Sequence, residues 1–166
     1  MLIGDPAMTL AYPHHDVVTT EINGQPVSLS SSDTLKALQK VTIRGEIRDD
    51  SGTKLSAYNG EVFPTIFDKA ASLQTLGNDP SSPVRQFTLQ KNVIYKGRAS
   101  AQNGEFEFSF IVPKDISYTF GKGKISYYAT NDSIDANGYS NDIIIGGTAD
   151  NILTDDEGPE VEILSL

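Results

Sequence analysis

GEFEFSFIVP, residues 104–113, sets Phe106, Phe108, Phe110 and Val112 on one face of an extended chain and Glu105, Glu107 and Ser109 on the other. A repeat of two residues is the period of a β-strand, and one apolar face against one polar face marks a strand whose sheet is dry on one side only. Asn103-Gly104 comes just before it, a pair that tolerates the positive φ angles of a tight type I′ hairpin turn. The residues before that turn, VIYKGRASAQ, supply the partner strand.

The same alternation continues outward along the chain. In KVTIRGEI, Val41, Ile43, Gly45 and Ile47 oppose Thr42, Arg44, Glu46 and Arg48, and GKISYYAT brings Ile125, Tyr127 and Ala129 together. Asn23-Gly24, Asp49–Gly52, Asn59-Gly60 and Asn137-Gly138 punctuate the chain with turn chemistry. The pattern predicts about eight strands, over Val17–Ile22, Val41–Ile47, Glu61–Phe67, Val84–Leu89, Val93–Ala99, Glu105–Val112, Lys124–Thr130 and Asp142–Ile145. The fold class expected is an all-β, immunoglobulin-like antiparallel sandwich with one short helix. That helix is SSDTLKALQK (31–40), where Ser32 or Asp33 can cap the free amides and Leu35 and Leu38 share a face. KAASLQTLGNDPSSPVR (69–85) reads as a long loop.

The chain's 166 residues suffice for one well-packed domain with tails. Its formal charge of −9 argues against a nucleic-acid backbone or an anionic membrane surface as partner. With no cysteine there is no disulfide, thiolate metal site or thiol nucleophile. Residues 1–9 lack the basic start and apolar run of a secretory signal, and apolar runs such as Ile143-Ile144-Ile145 fall far short of a membrane span.

The candidates for chemistry are few. His14 and His15 are the only histidines; as neighbours in an extended segment they point to opposite faces, which suits a linker better than chelation. NDSIDANGYSND gathers Asp132, Asp135, Asn137 and Asp142, hard oxygen donors of the kind calcium takes. The EF-hand spacing fails, because alignment on Gly138 leaves Ser133 at the first ligand position and Ile144 at the last. Turn residues are the plainer reading, so no metal site and no cofactor is expected. Glu105 and Glu107, at i and i+2, could form a glycosidase pair but sit in an alternating strand whose polar face is solvated. Tyr58, Tyr118, Tyr128 and Tyr139 could stack on sugars, although tryptophan is absent, and Gly146-Gly147 lacks the strand-to-helix setting of a phosphate loop. The Tyr-bearing strands or the 69–85 loop would be the contact face of a module that binds a glycan or a partner protein.

The opening LIGDPAMTLAYP (2–13) resembles the segment that closes the catalytic domain of gingipain-family cysteine peptidases. The resemblance extends through VVTTEING, DTLKALQKVTIRGEIRDDSG, YNGEVFPTIFDK, VIYKGRASAQNGEFEFSFIVPKDISYTFGKGKISYYATN, DANGY, IIIGGT and DDEGPEVEI, and covers nearly the whole chain. It is similar there to the signal peptidases and sortases of type IX secretion within that family. The resemblance implies a tail of the preceding catalytic domain and a linker at 1–15, an immunoglobulin-like sandwich at 16–148, and at 149–166 an acidic linker with the first strand of a following domain. It implies an exported parent at the cell surface, associated with the outer membrane, whose catalytic His and Cys lie outside this chain. The implied partners are the upstream catalytic domain, the downstream domain and outer-membrane proteins of the secretion system. No residue here inherits a catalytic role.

Overall fold

The computed structural model describes residues 12–27 and 34–149. They form fourteen strands: β1 (His15–Ile22), β2 (Gln25–Pro26), β3 (Thr34–Ala37), β4 (Lys40–Arg48), β5 (Gly60–Phe67), β6 (Ala71–Gln74), β7 (Gln86–Leu89), β8 (Val93–Lys96), β9 (Ala99–Gln102), β10 (Glu105–Ile111), β11 (Gly121–Lys122), β12 (Lys124–Thr130), β13 (Asp135–Ser140) and β14 (Ile144–Thr148). The expected caps at Ser32 and Asp33, residues 1–11 of the opening and residues 150–166 of the acidic tail lie outside the described residues.

The all-β expectation holds, but the immunoglobulin-like sandwich is corrected to a barrel. Seven strands pair in a ring, in the order β12, β13, β1, β4, β10, β9, β5, and β5 pairs back to β12. The Asn103-Gly104 turn, with φ of 53° and 76°, joins β9 to β10 as the sequence predicts. What closes the ring is β13, which runs parallel to β1 with Ala136 beside His15 and Asn137 beside Asp16. DANGYS looked like turn chemistry, yet here Asn137-Gly138 lies within a strand. Glycine is required for the closure: a Cβ on Gly138 would stand 1.9 Å from the Val17 carbonyl oxygen.

The barrel interior is filled by the predicted apolar faces. Ile43, Ile47, Val62, Ile66, Ile125 and Ala129 are fully buried, and Phe106, Phe108 and Phe110 nearly so. The bulk of Phe106 on β10 is balanced by small residues opposite, Gly45 on β4 and Ala101 on β9, as tight barrels need. Phe106 pairs with Gly45 across the strands, and a Cβ on Gly45 would meet the Phe106 ring at 2.3 Å. The large aromatic occupies the space that the glycine vacates.

A small second sheet, β11-β14-β3, abuts this core. Here the helix expectation fails: residues 34–37 are strand, and no helix occurs among the described residues. Leu35 and Ala37 are two apart and both fully buried, and β3 runs parallel to β14 with Leu35 beside Ile145. Burying both on one side of a strand outweighs a helical turn that hides only Leu35 and Leu38. Leu38 instead takes φ 64° in the turn to β4. The 69–85 loop is likewise part strand: Ala71–Gln74 pairs with Gln86–Leu89, a two-stranded hairpin whose connecting residues, 75–85, are the remaining loop.

Candidate functional site

Three surface regions gather the polar and aromatic residues. The first is the outer face of β1, β4 and β10. Strand alternation points Glu21, Arg44 and Glu107 outward in one row, and Arg44 donates from Nε to Glu107 and from Nη1 to Glu21 at 3.3 Å. In the next row Glu46 stands directly opposite Glu105. Like charges so placed repel, and each is neutralised separately, Glu46 by Arg48 and Glu105 by Lys54. The hydrogen bond and charge of Lys54 hold the Glu105 carboxyl below its ordinary range. A shallow depression of about 660 Å³ lies over these residues. Glu105 and Glu107, the pair with glycosidase spacing, are therefore both tied up as ion-pair acceptors. A general acid needs the opposite, a carboxyl kept protonated near neutral pH.

The second region is the outer face of β5, β12 and β13. Tyr128 and Phe63 face each other across the paired strands with ring centroids 6.2 Å apart, and Tyr139 is 74% exposed. Asn137 pairs with Tyr128 on the neighbouring strand. Of the other tyrosines, Tyr118 is exposed and donates from its hydroxyl to the Lys114 carbonyl. Tyr58 belongs to the core, with its hydroxyl buried and unpartnered, and burial pushes that hydroxyl up to about 12.

The third region is a small hollow of about 320 Å³ at one end of β1, lined by Tyr12, His14, His15, Asp132, Ile134 and Asp135 among others. His15 opens β1 rather than a linker, and its Nδ1 is enclosed without a hydrogen-bond partner. Asp132 adopts φ 69° in the turn between β12 and β13, Asp135 and Asn137 are exposed on β13, and exposed Asp142 follows it with its amide on the Ser140 hydroxyl at 3.3 Å. The candidate calcium donors are thus spread from the turn before β13, along that strand, to a residue beyond its end. Among the described residues no cluster of three or more His, Asp or Glu side chains is placed to hold a metal ion.

Sequence reasoning missed a buried ionic contact at the other side of the molecule. Lys69 Nζ donates to Asp68 Oδ1 at 2.8 Å, to the Ser117 carbonyl at 2.8 Å and to the Ile145 carbonyl at 3.3 Å. It ties the end of β5 to β14, so its role is structural. An Asp-Lys dipeptide in a loop carries no signal of burial. Gly146 and Gly147, with φ of 157° and 72°, lie against Phe120 in close backbone packing, as a Cβ on Gly146 would fall 2.8 Å from the Phe120 Cα.

Neither a family model nor a curated protein matches this chain. Among solved structures it matches dimeric latent PorU from Porphyromonas gingivalis, with 35% identity and a TM-score of 0.72 over 93% of this chain. The chain is a PorU-like domain. It spans 14% of the length of the PorU chain, so most of that protein has no counterpart here. The resemblance read from the sequence thus meets a likeness in three dimensions to PorU, at an identity well above what shared fold alone would need. The sporulation control protein Spo0M from Bacillus subtilis also matches, at 14% identity and a TM-score of 0.41 over 83% of this chain and 51% of its own. The sequence of this chain holds no cysteine.

Proposed function

We propose that this chain is a non-catalytic module of a larger exported cysteine peptidase and sortase of type IX secretion, where it buttresses the catalytic domain and orients it toward its partners. The observation that carries the reading is the 35% identity to PorU over nearly all of this chain and only 14% of PorU. The absence of cysteine supports it, since a cysteine peptidase must draw its nucleophile from elsewhere. The tied-up state of Glu105 and Glu107 supports it further. The neighbours in this reading are a catalytic domain before residue 16, a following domain after 148, and outer-membrane proteins of the secretion system. The parent works at the cell surface.

The test is the size and place of the native polypeptide. An antiserum against this domain, used on fractionated cells of the source organism, is expected to detect a surface-associated band many times heavier than 18.0 kDa. A soluble cytoplasmic band at the chain's own size overturns the reading. The purified chain is also expected to cleave no peptide substrate.

A second reading, a binding module for a surface glycan, is favoured by the outer-face aromatics Phe63, Tyr128 and Tyr139. Rings exposed on a rigid sheet can stack on pyranose faces. Binding on a glycan array that is lost in Tyr128→Ala and Tyr139→Ala would support it, and a flat array would count against it.

A further inference from the structure

The barrel wall is incomplete at one place. β9 accompanies β10 only through Glu105–Gln102 and Phe106–Ala101, so among the described residues β10 has no strand neighbour on that side from Glu107 to Ile111. β8 pairs with β5 through Thr65–Lys96, Ile66–Tyr95 and Phe67–Val93, and among the described residues its other edge carries no strand. Two free edges therefore border one slot. Side chains, not backbone, close its floor: the Tyr95 ring stacks on Phe110 at 4.6 Å and on Phe108 at 5.5 Å. Val93 and Ile111, on the two bordering strands, are 49% and 57% exposed. Proteins ordinarily blunt such edges by covering them or charging them.

The charges along the slot point to the kind of chain that fills it. The acids of β10, Glu105 and Glu107, are already neutralised by Lys54 and Arg44. Lys91 and Lys96 on the β8 side and Lys114 just beyond β10 have no ion-pair partner among the described residues. In a chain of net charge −9 this border is locally basic.

We propose that the slot receives an extended peptide segment of alternating apolar and acidic side chains, which adds to the free edge of β10 by main-chain hydrogen bonds. Its apolar face rests on Tyr95 and Phe110 while its acids meet Lys91, Lys96 and Lys114. Main-chain pairing supplies affinity in this mode and alternate side chains supply selectivity. The inference rests on the sheet edges and stands apart from the proposed role in a peptidase.

The experiment titrates the full 166-residue chain with an acetylated octapeptide of alternating glutamate and valine, and with its lysine–valine counterpart, following backbone amides by NMR and hydrogen exchange. Protection is expected at amides of 107–111 and 93–96, with the lysine peptide bound about tenfold more weakly or worse. Lys91→Glu/Lys96→Glu/Lys114→Glu is expected to weaken the acidic peptide by a similar factor. Ile111→Glu, which sets a carboxylate at an exposed position on the free edge, is expected to weaken the acidic peptide further while leaving the urea midpoint unchanged. Equal binding of both peptides, protection confined to other strands, or no binding overturns the proposal.

Discussion

Thr19 Oγ1 and the Tyr127 hydroxyl share a hydrogen bond of 2.7 Å inside the barrel, between β1 and β12, with β13 passing between these strands in the ring. Both residues are buried, so each supplies what the other lost from water. The pair fastens the two sides of the parallel seam to each other across the interior.

Breaking that pair from one side leaves an unmatched polar group in an apolar cavity. Tyr127→Phe is expected to cost about 1–3 kcal/mol, and the double change Thr19→Val/Tyr127→Phe less than the sum of the two single changes. Urea unfolding of the four proteins in a double-mutant cycle checks this. Additive losses would mean that the two hydroxyls act independently.

The seam itself depends on Gly138. Adding one methyl there drives a Cβ into the Val17 carbonyl, and backbone on both strands leaves no flexible atom to yield. Gly138→Ala is expected to lower stability by about 3 kcal/mol or more, a size reserved for core overpacking and backbone strain. Gly24→Ala is the control. Its Cβ meets nothing, though its φ of 76° carries a modest strain, so the loss there is expected to be clearly smaller.

Lys69→Met removes the ammonium that serves Asp68 and two carbonyls, and leaves the nearly buried Asp68 carboxylate with the residue-69 backbone amide as donor but without a counter-charge. Loss of one partner of such a pair is expected to cost about 3–5 kcal/mol. Thermal unfolding measures it. Because the contact joins β5 to β14, hydrogen exchange in β14 is expected to accelerate before exchange in β4.

Stability should fall at both ends of the pH scale, for opposite reasons. Asp49 is held below its ordinary range first by the Ser51 hydroxyl and then by the Thr53 amide, Asp79 by the amide and hydroxyl of Ser81, and Glu105 by Lys54. A depressed acid binds its proton more readily in the unfolded chain, so its contribution is present above the unfolded value and is lost as pH falls below about 4. Tyr58 runs the other way. Its hydroxyl, raised to about 12, keeps its proton in the fold after the unfolded chain has released it. That contribution is lost as pH rises from about 10 toward 12. Tyr58→Phe deletes an unpartnered hydroxyl, so at neutral pH it is expected to be neutral or stabilising, and it should flatten the alkaline decline. Urea midpoints across pH 2–12 read both limbs.

The barrel strands were legible because their inward residues alternate without interruption, as in Phe106–Phe110 and Val41–Ile47. Closure was not, since it depends on β13, whose Asp, Asn and Gly are the residues of turns and whose one large side chain, Tyr139, faces solvent. β3 was misread for a related reason: Leu35 and Leu38 fit a helix, and only the parallel contact with β14 selects the alternative. Of the site, the ladder Glu21–Arg44–Glu107 could have been traced from alternation once the register was known. The Lys69 contact and the slot beside β10 arise from distant segments, and no local pattern encodes them.

The parallel pairing of His15 with Ala136 joins residues separated by nearly the whole domain. Every hairpin can form early from neighbouring sequence, yet the ring has no closure until the 135–140 segment arrives. Contacts of such long range make folding slow and cooperative. During synthesis, the first strand must therefore wait beside an open edge until almost all of the domain has left the ribosome, and a chain cut short at residue 134 would keep its hairpins without ever becoming a barrel.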